Sequence, residues 1–319
     1  MIQNITRMFR NTLHRKPQSE LVAAIYLQAE QLKLVVVQRN GLQVLKTETV
    51  RLLESHKLIP ACVKLAQELP KRTPLCLVLS PEHYQLLQLD KPSVPAAEIQ
   101  QALPWQIRDL VTISPEDMVV DYCDVAEQSN QAQPRIQVVV SSRGLLAPLC
   151  KSLQNNNITL QNIQPDEWLA RNLLPVQPQA VLLLSHQPGQ DINIQIVRDG
   201  MMYVSRKLRG FNRIDLMTFA DLRQGLLDNL LLEVQRSLDY FEGQLRQAPV
   251  KEILFLLATP ELGAIVQYFV QNGFTQVRPM DLSAYLPGAS LADQGDYWLP
   301  LAGALELLQN TELSLETTH

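Results

Sequence analysis

Residues Leu21 to Gly41 read Leu-Val-Ala-Ala-Ile-Tyr-Leu-Gln-Ala-Glu-Gln-Leu-Lys-Leu-Val-Val-Val-Gln-Arg-Asn-Gly. The pattern predicts a strand, a tight turn and a second strand. Ile25 and Leu27 alternate with polar or small neighbours, and so do Leu32, Leu34 and Val36. Asn40-Gly41 is a strong hairpin signal, because both residues tolerate positive φ. The design recurs about 160 residues later, from Ala180 to Gly210. There Val181 to Leu184 is an apolar run and Ser185 to Gln190 turns. Ile192, Ile194 and Ile196 alternate, Asp199-Gly200 closes a hairpin, and Met201 to Leu208 forms a third strand. Two such ribbons predict a duplicated, two-lobed fold.

Paired ribbons of this kind resemble the two phosphate loops of the actin-like (ribonuclease-H-like duplicated) ATPase fold. More narrowly, the chain resembles the PilM-like proteins of type IV pilus assembly, nearest to the MshI type of mannose-sensitive haemagglutinin pili. The resemblance implies an α/β, two-lobed fold with a small inserted subdomain. In that family the first strand ends in Ile-Asp-Ile-Gly-Ser/Thr, with a Lys five positions after the Gly. Its Asp positions a metal-bound water, and its Gly lets backbone N–H groups nest around phosphate. Aligning the family's Lys with Lys33 places Tyr26 at the Asp and Gln28 at the Gly. At the second ribbon, Leu183 and Ser185 take those places. The expectation is a scaffold kept and a chemistry removed. Lys33, standing alone, is expected to be solvated.

Bulk properties fit a protein of two or three domains: 319 residues, 46% hydrophobic, net charge −4. That charge argues against a general nucleic-acid binder. No apolar run reaches the length of a membrane span, and the first residues lack the apolar segment of a secretory signal. A cytoplasmic location is therefore expected. Cys62, Cys76, Cys123 and Cys150 show no Cys-x-x-Cys spacing and are read as reduced and mostly buried. The five histidines lack ligand spacing, so no metal site is expected.

In chain order, residues 1–19 form a basic leader. Ile2, Ile5, Met8, Phe9 and Leu13 fall near one helical face beside Arg7, Arg10, Arg15 and Lys16. It reads either as an amphipathic contact to the inner-membrane surface or as a frayed tail. Residues 20–178 form the first lobe, with the inserted subdomain at about 91–145. Leu45 to Leu53 reads as a strand, Ile59 to Leu69 as a helix, and Leu75 to Leu79 and Tyr84 to Leu89 as strands. A helix from Ala96 stops at Pro104, since the residue before proline avoids helical ψ, and Trp105 to Leu110 is a second helical piece. Met118 to Val125 and Ile136 to Ser141 pair as a hairpin around a polar loop. Leu145 to Leu153 reads as a helix, Ile158 to Ile163 as a strand and Asp166 to Leu174 as a helix. Pro104-Trp105 followed by Asp121-Tyr122 resembles a PilM-like pattern specific to the inserted subdomain.

Residues 179–308 form the second lobe, which the resemblance implies is trimmed in its outer part. Leu222, Leu226, Leu230, Val234, Leu238, Phe241 and Leu245 make a helical stripe that reads as core. The Glu233-x-x-Arg236-Ser237 wording resembles the family helix that borders the nucleoside. Glu233 and Arg236 stand either near a ribose or as an i, i+3 surface ion pair. Ala258-Thr259-Pro260 replaces a Gly-Gly turn at which relatives admit adenine. Leu262 to Val270 is a helix, a Pro/Gly loop runs to Pro300, and Leu301 to Leu308 matches the family's closing helix. Residues 309–319 read as a flexible tail.

The function implied by the resemblance is a non-catalytic scaffold of a pilus assembly platform, peripheral to the inner membrane and alongside other platform proteins. Its partner would be a short cytoplasmic peptide of a PilN-like membrane protein. In the family this peptide docks between the first lobe and the inserted subdomain, and Trp105 and Tyr122 are the candidate groove residues, or else subdomain core. The implied cofactor is none. The alternative is an ATPase that keeps ATP and magnesium binding for regulation.

Overall fold

The computed structural model describes residues 19–126 and 133–316. All but the last residue of the leader, and most of the polar hairpin loop, lie outside the described residues. These fall into two compact units, one of residues 19–125, 133–169 and from 299 onward, the other of residues 126 and 170–298.

The first unit opens with three strands, β1 (Leu21–Leu27), β2 (Gln31–Gln38) and β3 (Val44–Arg51). Then come helix α1 (Leu58–Gln67), strands β4 (Pro74–Leu79) and β5 (Tyr84–Asp90), and helix α2 (Ala96–Ile107). Strands β6 (Met118–Asp124) and β7 (Arg135–Ser142), helix α3 (Arg143–Asn155) and strand β8 (Thr159–Pro165) complete it. The main sheet runs β3-β2-β1-β4-β8, and a second sheet runs β5-β7-β6. β5 therefore belongs to the smaller sheet, and β8 supplies the fifth strand of the main one. Asp166–Trp168 and Ala170–Leu173 are 3-10 turns rather than the single helix expected from their spacing.

Both faces of β1 and β2 are buried, not one. The alternation read from Ile25 and Leu34 is real, but Ala24, Val35 and Val37 face a second packed layer. Part of that layer is a later helix, through Gly303. A Cβ there would lie 2.5 Å from Val78 Cγ2 and 3.1 Å from the Ala24 Cβ, so only glycine lets the helix sit this close. Lys33, expected to be solvated, is instead 3% exposed, because β2 is a central strand and Tyr26 pairs opposite it.

Pro104 does not end α2, which continues to Ile107. Proline lacks one N–H, and tertiary packing here outweighs that loss. Ile99, Leu103 and Ile107 are fixed against Met118, Val120, Ile136, Val138 and Val140 of the small sheet.

The second unit repeats the ribbon as β9 (Val181–Ser185), β10 (Ile192–Arg198) and β11 (Met201–Leu208). Asp199 and Gly200 take φ of 51° and 71°, the twisted turn their sequence requires. Helices α4 (Phe219–Leu222) and α5 (Leu226–Asp239) follow, then a π turn over Tyr240–Gln244. Strand β12 (Glu252–Leu256), helix α6 (Leu262–Gln271), strand β13 (Val277–Pro279) and helix α7 (Leu291–Glu316) finish the chain. The sheet order is β11-β10-β9-β12-β13. Leu222, Leu230, Val234, Phe241 and Leu245 of the predicted stripe are core, and Leu226 and Leu238 pack on it partly buried. α7 starts ten residues earlier than the sequence suggested and carries Pro300 inside it. It also runs on to Glu316, through most of the stretch that read as a tail.

Three cysteines are buried and Cys123 is partly exposed. Burial, with Cys150 nearby, pushes the Cys62 thiol up to about 12, and burial pushes Cys150 up to about 11. The unfolded chain would ionise these thiols near 9, so it loses protons first as pH rises. The stability they contribute is complete below pH 9 and declines as pH rises toward the folded values. Urea denaturation above pH 9 should show stability falling by about 1.4 kcal/mol per pH unit for each such thiol. A thiol reagent on the native protein should label Cys123 first.

Candidate functional site

Three turns, each at the end of a central strand, hold the candidate residues. The first follows β1. Gln28 N–H donates to the Gln31 carbonyl at 3.0 Å, and the Gln31 side-chain amide donates to Gln28 Oε1 at 2.9 Å. Gln28 thus closes its own turn and is buried. The turn's Ala29 N–H donates to Glu82 Oε2 at 2.6 Å. A carboxylate from elsewhere in the chain therefore sits on a backbone amide of the turn that, in an anion-binding nest, would face phosphate.

Behind this turn Tyr26 is fully buried. Its hydroxyl donates to Asp166 Oδ2 at 3.0 Å, and the Tyr84 hydroxyl donates to Asp166 Oδ1 at 2.5 Å. Burial first, then the charges of Asp166 and Glu167, push the Tyr84 phenol well above its ordinary range. Tyr84 stays a neutral donor at any physiological pH. Both oxygens of Asp166 are engaged within the protein.

The second turn follows β9. Ser185, His186 and Gln187 are all buried. The Gln187 amide donates to the Gly295 carbonyl of α7 at 2.8 Å, and the Trp298 indole N–H donates to the His186 carbonyl at 3.5 Å. His186 Nε2 lies 3.9 Å from Asp215 Oδ1, and burial raises the Asp215 pKa. The third turn, Ala258-Thr259-Pro260, is buried at Ala258 and Thr259. A Cβ on Gly295 would stand 2.7 Å from Ala258 Cα and 2.9 Å from Ala258 N. α7 thus lies directly on the backbone of this turn.

Glu233 accepts from Arg236 Nη1 at 2.6 Å and also from the Arg206 guanidinium. This is the i, i+3 ion pair, extended across to β11. Ser237 donates to the Glu233 carbonyl at 2.8 Å. Among the described residues no cluster of histidine, cysteine and carboxylate groups could hold a metal ion.

Trp105 and Tyr122 stand on different surfaces. Trp105 is 69% exposed, on the side of α2 away from the core residues Leu103 and Ile107. Tyr122 follows Met118 and Val120 along β6 and packs, partly buried, against the core beneath α2. Leu110, also exposed, lies three residues past the end of α2. Glu82, Asp166 and Tyr84 carried no sequence signal, because each acts through a partner far away in the chain.

No family model and no curated protein matches the sequence. Solved structures do match the fold. A chain of the "PilM-PilN type IV pilus biogenesis complex" superposes with a TM-score of 0.66 at 16% identity, covering 92% of this chain and 99% of that one. The cytoplasmic domain of EpsL, an inner membrane component of the type II secretion system of Vibrio cholerae, superposes with a TM-score of 0.50 at 12% identity, over 91% of this chain and 95% of that one. A Bacteroides thetaiotaomicron protein described as having an actin-like ATPase fold and unknown function superposes at 0.49, with 8% identity, over 86% of this chain and 95% of that one. The chain has an actin-like α/β fold, shared with the first two of these structures.

Proposed function

We propose that this protein is a non-catalytic scaffold of a type IV pilus assembly platform, of the kind that serves mannose-sensitive haemagglutinin pili. It works in the cytoplasm at the inner membrane and holds the cytoplasmic tail of a PilN-like membrane protein. The observation that carries this reading is the end-to-end likeness to a chain of the PilM–PilN complex. No described helix is long and apolar enough to cross a membrane.

The non-catalytic part of the proposal draws support from the three turns. Phosphoryl transfer needs donors and a metal aimed at phosphate oxygens. Here Glu82 holds the Ala29 amide, Tyr26 and Tyr84 hold Asp166, and Gly295 lies on Ala258. A phosphate at the first turn would have to displace a carboxylate and then sit beside it. Mg-ATP is expected to leave the melting temperature unchanged. A rise of several degrees would return the nucleotide-regulated reading to first place.

The peptide surface is the exposed side of α2 around Trp105. Large aromatic anchors dominate peptide and protein interfaces. Calorimetry with a PilN-type tail peptide and no nucleotide should give a dissociation constant on the order of micromolar. Trp105→Ala should weaken it at least about tenfold, while Tyr122→Phe, at a residue packed on the subdomain core, should leave it unchanged. Absence of binding heat at high protein concentration would remove the partner assignment.

A further inference from the structure

We propose that β3 is a self-pairing edge, through which two copies of this chain join their main sheets antiparallel about a two-fold axis at Thr47.

β3 lies at the end of the main sheet, and among the described residues it pairs only with β2. Its backbone orientation follows from one bond. Leu52 N–H donates to the Glu30 carbonyl at 2.7 Å. Bonded positions in an antiparallel ladder recur at every second residue. Val50, Glu48 and Lys46 therefore turn their backbone groups toward β2, opposite Leu32, Leu34 and Val36. Thr47 and Arg51 turn theirs to the outer edge.

The sequence of this edge reads Val44-Leu45-Lys46-Thr47-Glu48-Thr49-Val50. Pairing it antiparallel with itself about Thr47 sets Thr47 against Thr47 as a hydrogen-bonded pair. Lys46 of each copy then faces Glu48 of the other, and Val44 faces Val50. The Lys46 and Glu48 positions become a non-hydrogen-bonded pair, where facing side chains come closest. In the single chain Lys46 already lies 2.7 Å from Glu48 and 2.8 Å from Glu68. A second copy would add its own Lys and Glu to that cluster with alternating sign.

The other edges lack this property. β6 carries only Asp121 and Asp124, β11 only Arg206 and Lys207, β5 only Asp90, β13 only Arg278, and β8 no charge. β3 alone among the described edge strands carries both signs. Exposed Leu45, at 56%, adjoins the seam, and a second strand would cover it. Edge strands with charges of one sign resist self-pairing. An alternation that is self-complementary favours it.

Sedimentation velocity on the full chain tests this. The expected result is a concentration-dependent monomer–dimer equilibrium. Lys46→Glu and Glu48→Lys should each weaken it at least about tenfold, since each faces like charges twice across the axis. An equimolar mixture of the two variants should recover dimer, because the paired acids of one variant then face the paired bases of the other. Thr47→Pro should abolish pairing while leaving the urea midpoint close to wild type, because the N–H it removes points off the sheet. A monomer at all concentrations would overturn the proposal. So would a dimer whose strength neither Lys46→Glu nor Thr47→Pro alters. Protection of β3 amides from exchange only on adding a partner tail peptide would assign the edge to that partner, and would overturn it too.

Discussion

Asp166→Ala is expected to lower the unfolding free energy by about 4 kcal/mol. The carboxylate accepts two phenolic O–H bonds, from Tyr26 and Tyr84, in a fully buried setting. Alanine leaves both hydroxyls without their acceptor and opens a gap between them. An unsatisfied buried polar group costs about 1–3 kcal/mol, and bonds to a charged group are the stronger kind. The control is to remove the donors as well. Tyr26→Phe with Tyr84→Phe in the Asp166→Ala background should recover part of the loss, because apolar rings need no acceptor. Urea denaturation of wild type, the single, the double and the triple variant gives the coupling directly. A single variant within about 0.5 kcal/mol of wild type would show that the network does not bear on stability.

Gly295→Ala should cost about 3 kcal/mol, although alanine is the better helix former by about 1 kcal/mol. The added methyl would meet Ala258 Cα at 2.7 Å and Ala258 N at 2.9 Å. Those are backbone atoms of a buried turn and cannot swing aside as a side-chain tip can. α7 must back away, and the Gln187 bond to the Gly295 carbonyl stretches with it. At about 2–4 °C per kcal/mol for a protein of this size, the melting temperature should fall by roughly 6–12 °C. Gly263→Ala is the matched control, since nothing lies within 4 Å of a Cβ there. It should be neutral or slightly stabilising. Equal melting temperatures for the two variants would mean that α7 does not rest on the Ala258 turn.

The parts of the fold that were legible are those in which the signal is local. Asp199-Gly200 sets its hairpin with both residues at positive φ, as their types allow, whereas in the first ribbon Gly41 and Leu42, not Asn40, take it. The stripe through Leu230, Val234 and Phe241 was readable because helical spacing and burial coincide. Pro104 and Pro300 misled, since a proline rule weighs one lost bond and cannot see the packing that outweighs it. Lys33 misled for a similar reason. Its solvation depends on whether β2 is central, and that is decided by β3 on one side and β1 on the other.

The candidate site was legible only as a departure from the resembled pattern. Tyr26 and Gln28 stand out in sequence as departures from the resembled pattern. What occupies the place instead came from far along the chain: Glu82 to Ala29, Asp166 to Tyr26, Gly295 to Ala258. Glu82 could have been suspected only by knowing that the loop after β4 lies beside the turn after β1. The parallel pairing of these two strands settles that, and pairing is a tertiary fact. The Trp105 and Tyr122 pair separates for the same reason, one on the outer side of a helix and the other beneath it.

The bond from Ala29 to Glu82 has one more consequence. The amide that a bound anion would engage already donates to a carboxylate of the same chain, so this turn satisfies its donor without a ligand. If the proposed scaffold function holds, occupancy of the partner tail would then follow the amounts of the two proteins and not the supply of nucleotide.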